Sequence, residues 1–123
     1  MARSVLLQIA RDSIQEVLQA KNSIDKKSLI ATHPLLNEKM PITVNIYLNN
    51  ELRGSSNEPR QDFCLLDGII KHAKKSAFED INFSPLSTSE YLNCEVEIIL
   101  NSPDGIISEK DPAILSYTHQ YAK

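Results

Sequence analysis

Arg53 is the side chain with the greatest chemical reach in this sequence, and Asn45, Tyr47 and Ser55 flank it across the turn-forming pair Asn49-Asn50. If the segments on either side pair as strands in the right register, the four side chains share one polar surface. A planar guanidinium beside a phenol, an amide and a hydroxyl suits a carboxylate or phosphate, held through two parallel hydrogen bonds. The competing reading is a structural ion pair, for instance with Glu51 or Glu97, of the surface kind that contributes little. Ser55 becomes a nucleophile only beside a base, because an unassisted hydroxyl is weak at neutral pH. His33, His72 and His119 are scattered, and no histidine-plus-acid set stands out around Ser55. His33 precedes Pro34 in a loop. His72 sits among Lys71, Lys74 and Lys75 and reads as a solvated side chain on the flank of a helix.

Other reactive residue types have plain readings. Cys64 is a reactive thiol only if Lys71 or His72 lowers its pKa. Cys94 alternates with apolar residues and reads as packing. Two cysteines make no disulfide framework and match no zinc spacing, so reduced thiols are expected. Glu95 and Glu97 lie on one strand face, but a carboxylate pair is catalytic only at a defined separation. The net charge of −3 and the absence of a dense basic stripe argue against nucleic acid. No apolar run approaches the roughly 18–20 residues that cross a bilayer. The N-terminus is a periodic helix carrying Arg11 and Asp12, not a signal peptide. The composition, 41% hydrophobic and 24% charged, is that of a folded protein, and 123 residues suit one domain.

The elements that must position these residues follow from periodicity. Residues 3–21 form an amphipathic helix in which Leu6, Leu7, Ile9, Ala10, Ile14, Val17 and Leu18 recur at three- and four-residue steps, leaving Arg3, Arg11, Asp12, Gln15 and Glu16 largely for the wet side. Residues 22–41 are irregular, with one helical turn at 35–39 between Pro34 and Pro41. Ile42, Val44, Ile46 and Leu48 alternate with polar residues as a half-buried strand, and a second strand returns from Leu52. A two-residue loop would put Ile46 on the face of Arg53. A three-residue loop aligns Val44 and Ile46 with Leu52 and Gly54, so the buried face should select it. Asn45, Tyr47, Arg53 and Ser55 then share the opposite face.

Residues 64–79 form a second helix with a stripe of Leu66, Ile69, Ile70, Ala73 and Ala77; the alanines permit close approach to a sheet. Ser87-Thr88-Ser89-Glu90 is a capping box, stapled by Leu86 and Tyr91, and it opens a short helix. Cys94, Val96, Ile98 and Leu100 alternate as a strand, and Pro103-Asp104-Gly105 makes a tight turn. Asp111-Pro112 opens a terminal helix with Ile114, Leu115, Thr118 and Tyr121 on one face.

Several of these motifs, in order, resemble a known family. Leu52-Arg53-Gly54 after a strand and turn is similar to the start of the Leu-Arg-Gly-Cys-Ile-Gly signature of the AMMECR-type domain. The helix running into Phe78, then Asp80-Ile81-Asn82-Phe83, Pro85-Leu86, Glu90, and a strand ending at Leu100-Asn101-Ser102-Pro103 continue the likeness, and the opening helix agrees. The resemblance covers residues 4–103. It implies an α+β fold without a settled molecular function. Some bacterial members are called AmmeMemoRadiSam system protein A, which implies a Memo-like protein or a radical SAM protein as partner. The sequence departs from the pattern at Ser55, where the family has Cys, and at Ser56, Asn57 and Asn82, where it has Ile, Gly and Arg. A thiolate or metal ligand is thus missing at position 55.

The expectation is a single α+β domain over residues 1–123, with helices on one face of a small, largely antiparallel sheet, shortened at its C-terminal end relative to the family. The expected setting is cytoplasmic, with no cofactor, metal, nucleic acid or membrane. Two functions remain open. One is a non-catalytic interaction module binding a protein partner or a second copy. The other is a binder of, or enzyme for, an anionic ligand, using Arg53, Ser55, Tyr47 and Asn45.

Overall fold

The computed structural model describes residues 4–58, 63–102 and 105–113. Helix α1 (Val5–Leu18) opens at Ser4, whose hydroxyl accepts the Leu7 N–H, and it buries Leu6, Leu7, Ile9, Ala10 and Ile14. A short helix α2 (Lys26–Thr32) and a 3₁₀ turn (Pro34–Asn37) lead to strand β1 (Ile42–Leu48). Strand β2 (Glu51–Glu58), helix α3 (Leu65–Phe78), helix α4 (Thr88–Asn93), strand β3 (Cys94–Ser102) and strand β4 (Gly105–Asp111) complete the order. The four strands form one antiparallel sheet in the order β2-β1-β3-β4. The fold is therefore α+β, as the alternation and helical stripes imply.

Strand alternation makes the sheet two-sided. Ile42, Val44 and Ile46 of β1 and Cys94, Val96, Ile98 and Leu100 of β3 are buried. They share one face because the two strands pair Val44 with Ile98 and Ile46 with Val96. Helices α1 and α3 pack on that face and on each other. They enclose an aliphatic core that includes Leu66, Ile69 and Ala73. Asn45, Tyr47, Glu95, Glu97 and Ile99 occupy the opposite face and are half-buried. Gly54 marks the closest helix–sheet approach: a Cβ there would run into the Ser76 carbonyl of α3.

Several features differ from what the sequence leads one to expect. The β1–β2 loop has two residues, not three. Asn49 and Asn50 both adopt left-handed φ values of 54° and 65°, a type I′ geometry matching strand twist, and Leu48 pairs with Glu51. The odd count is supplied instead by a bulge: Tyr47 pairs with Leu52 and Ile46 with Gly54, leaving Arg53 as the extra residue. Arg11 is not on the wet side but fully buried, because α1 turns it toward Asp111. His72 is buried rather than solvated, because α3 lays it beneath β2, where Nδ1 meets the Ser56 hydroxyl at 2.7 Å. Asp111 opens no helix; it ends β4, where its carboxylate holds Arg11. The expected turn at 103–104 and terminal helix from Ile114 onward lie outside the described residues.

Candidate functional site

The bulge sends Arg53 away from the polar residues it was expected to join. Its Nε donates to Glu90 Oε2 at 3.1 Å, and its Nη2 donates to Glu90 Oε1 at 3.1 Å and to the Ser84 carbonyl at 2.8 Å. The guanidinium carbon lies 5.4 Å from the centre of the Phe83 ring. Glu90 is set by its own helix: in the capping box, Ser87 accepts the Glu90 N–H and Glu90 Oε1 accepts the Ser87 N–H. The helix-capping residue is thus also the partner of Arg53, where Glu51 or Glu97 was considered. The Arg53 hydrogen bond, with help from the Ser87 amide, holds the Glu90 carboxyl below its usual range. Arg53 Nη1 is buried and has no hydrogen-bond acceptor among the described residues.

Asn45, Tyr47 and Ser55 stay together on the open face of the sheet. Ser55 Oγ donates to Asn45 Oδ1 at 2.6 Å. Asn45 Nδ2 and the Tyr47 hydroxyl both donate to Glu97 Oε1, at 3.0 and 2.9 Å. That bond to a carboxylate raises the Tyr47 pKa. Lys110 lies 4.5 Å from the Tyr47 ring centre and 3.6 Å from Glu95. Glu97, rather than Arg53, is therefore the charge that organises this set. The register of β1 on β3, opposing Asn45 to Glu97, brings it there.

Ser55 connects the two groups. Its backbone N–H donates outward from β2 to Asp80 Oδ2 at 3.0 Å, while Asp80 Oδ1 accepts the Asn82 N–H at 2.8 Å. These amides, Asn82 first, lower the Asp80 pKa. Beside them a cleft of about 450 Å³ is lined by Ser55, Ser56, Lys75, Asp80, Asn82 and Phe83, among others. The imidazole nearest the motif bonds Ser56, not Ser55.

The cysteines lie apart from this region. Cys64 is half-buried at the start of α3. Cys94 is buried; its thiol, pushed up in pKa by burial, donates to the Tyr91 carbonyl and receives Arg11 Nη1 at 3.4 Å. Among the described residues no group of three His, Cys, Asp or Glu side chains converges to hold a metal ion. No helix there is long and apolar enough to cross a membrane.

Comparison with known proteins bears on the family and the fold. The AMMECR1 family model matches residues 7–116. Protein PH0010 of Pyrococcus horikoshii is 32% identical over 107 residues, covering 83% of this chain and 51% of the relative. Protein TV1384 of Thermoplasma volcanium is 31% identical over 90 residues, covering 71% and 45%. The crystal structure of the uncharacterized protein PH0010 superposes with a TM-score of 0.71 over 80% of this chain and 50% of that one. The chain thus spans about half the length of the relatives it matches. The Leu-Arg-Gly strand, the helix beneath it and the capped helix that answers Arg53 all fall within the matched stretch, and the chain belongs to the AMMECR1 family.

Proposed function

We propose that this chain is a non-catalytic interaction module acting in the cytoplasm. The observation that carries this reading is that, among the described residues, the helices pack on one face of the sheet only. Helices cover one face, while on the other side β4 presents Ile106, 75% exposed, next to the half-buried Ile99. Exposed apolar residues on an uncovered sheet mark surfaces that other chains cover. The family resemblance offers a Memo-like protein or a radical SAM protein as partner, and a second copy of the chain is the third choice. The polar residues of the motif support the reading from the other side: Arg53 is engaged by Glu90 and Ser84, and Ser55 by Asn45, so they serve the fold's own contacts.

Co-expression with the Memo-like and radical SAM proteins of the same genome tests this. Retention of one of them on the tagged chain, reduced by Ile106→Asp, is the expected result. A chain that retains neither and sediments as a monomer overturns the reading.

A second reading is anionic-ligand binding, expected of Arg53, Ser55, Tyr47 and Asn45; with Asn45 and Tyr47 turned to Glu97, it rests on the buried Arg53 Nη1, which lacks an acceptor among the described residues, and on the cleft that Ser55 lines. It requires a carboxylate or phosphate to reach Nη1 past Phe83. Thermal shift with inorganic phosphate and small carboxylates, compared between the native chain and Arg53→Gln, decides it. A shift lost in the variant supports it, and equal behaviour removes it.

A further inference from the structure

We propose that β4 is a self-association edge: the β4 strands of two copies pair antiparallel about a two-fold axis through Ile107, joining two four-stranded sheets into one. This deepens the interaction reading above and rests on it.

The two sheet edges differ in how they are closed. On β2, Asp80 takes the outward N–H of Ser55, Arg53 forms a bulge, and its guanidinium ties the strand to Ser84. A bulge and a capping side chain are the usual devices that stop an edge from pairing. On β4, pairing with β3 runs without register shift from Gly105 to Asp111, and no strand lies beyond it among the described residues. The strand contains no proline, and it exposes Ile106 on one face and Ile107, at 48%, on the other.

The residue order on β4 selects a second copy and one register. An axis on Ile107 sets Ile107 against its own copy, Ile106 against the copy's Ser108 and Glu109 against the copy's Gly105, so no charge meets a like charge. An axis on Ser108 sets Ile106 against Lys110 and Ile107 against Glu109, apolar against charged. An axis on Glu109 opposes two carboxylates directly, which destabilises a strand pair. An axis on Ile106 shortens the overlap to residues 105–107. The charges are also held within their own copy, Glu109 by Ser4 and Lys110 by Glu95, which leaves the isoleucines as the free contact surface.

The test uses the full chain. Sedimentation is expected to give the mass of two copies, and Ile107→Lys and, separately, Ile106→Lys to weaken the dimer by about tenfold or more, as loss of a buried aliphatic side chain implies. Circular dichroism confirms that both variants stay folded. Opposed strand residues have Cα atoms about 4.5–5.5 Å apart, within disulfide range. Ile107→Cys in a Cys64→Ser background should therefore cross-link under mild oxidation, whereas Ser108→Cys in the same background should do so less. A monomer that still retains the Memo-like or radical SAM protein overturns self-pairing and leaves the interaction reading standing. A monomer that retains neither overturns both. A dimer indifferent to both lysine substitutions, and not cross-linked at 107, overturns the β4 assignment alone.

Discussion

Two arginines of this chain are drawn into the protein, and each is tolerated for the same reason: a carboxylate and at least one backbone carbonyl meet it there. Arg11 Nε donates to Asp111 Oδ2 at 2.6 Å, and Nη2 donates to the carbonyls of Cys94 and Pro112 at 2.9 and 3.0 Å. Burial by itself would lower the Arg11 pKa, but Cys94 and Asp111 outweigh it and the group is held more firmly charged. Arg11→Met should cost about 3–5 kcal/mol, because it strands Asp111 in the interior. Arg11→Met with Asp111→Leu should recover most of that loss, since an apolar pair needs no compensation. Urea denaturation of the three proteins checks this. The carboxylates give a pH prediction. Glu90 and Asp80 both have folded pKa values below their unfolded ones, through Arg53 and the Asn82 amide respectively. Their stabilisation is complete above the unfolded carboxyl range of about 4 and is lost as pH falls through the lowered folded values. Midpoints of urea denaturation should therefore drop from about pH 5 downward, and the drop should be shallower in Glu90→Gln.

Among the elements, the β1–β2 hairpin shows how local and tertiary demands are reconciled. Two asparagines set a tight type I′ turn, yet Ile46 must still face the core opposite Gly54. An extra residue at Arg53 satisfies both. Alternation therefore foretold the pairing of Ile46 with Gly54 but not the bulge, which depends on Glu90 and Ser84, far along the chain, receiving the displaced side chain. Gly54→Ala should destabilise by about 1–3 kcal/mol or more, because α3 cannot retreat from the Ser76 carbonyl contact without disturbing the core; a thermal melt reads the loss. Helix α4 rests on its cap: Ser87→Ala should cost about 1 kcal/mol. It should also loosen Glu90 beneath Arg53, which a double-mutant cycle with Arg53→Gln would detect as coupling. Helix α2 and strand β4 escaped the sequence reading for one physical reason. The helix buries no residue, and the strand is exposed on both faces along most of its length, so neither carries an apolar period.

At the scale of the molecule, helices α1 and α3 pack on one face of the sheet and on each other. Leu86 and Tyr91 close the core beside α4, and the Arg11 cluster pins α1 to the start of β3 and the end of β4. The opposite face has a polar end organised by Glu97 and an apolar end at Ile99 and Ile106. Polar groups in the first end satisfy one another, so the second end and the β4 edge are the regions a second chain would cover. Replacing Ile106 or Ile107 by Lys should leave monomer stability nearly unchanged, because exposed side chains lose little on substitution. At concentrations low enough for every form to be monomeric, where association adds nothing to the native chain, a matching thermal midpoint in both variants would separate a surface role from a core role.

What the sequence determined by itself was whatever short range can encode: the apolar periods of α1, β1, α3 and β3, the capping box at Ser87, the place though not the length of the Asn-Asn turn, and the order of family motifs. Each of these is a contact within a few residues or a pattern with a fixed period. The tertiary structure alone decided where charges with distant partners go. Arg11 meets Asp111 across 100 positions, Arg53 meets Glu90 across 37, and Ser56 meets His72 across 16. A lone charged or polar residue carries no mark of the partner that folding will bring to it, and burial becomes affordable only once that partner has arrived.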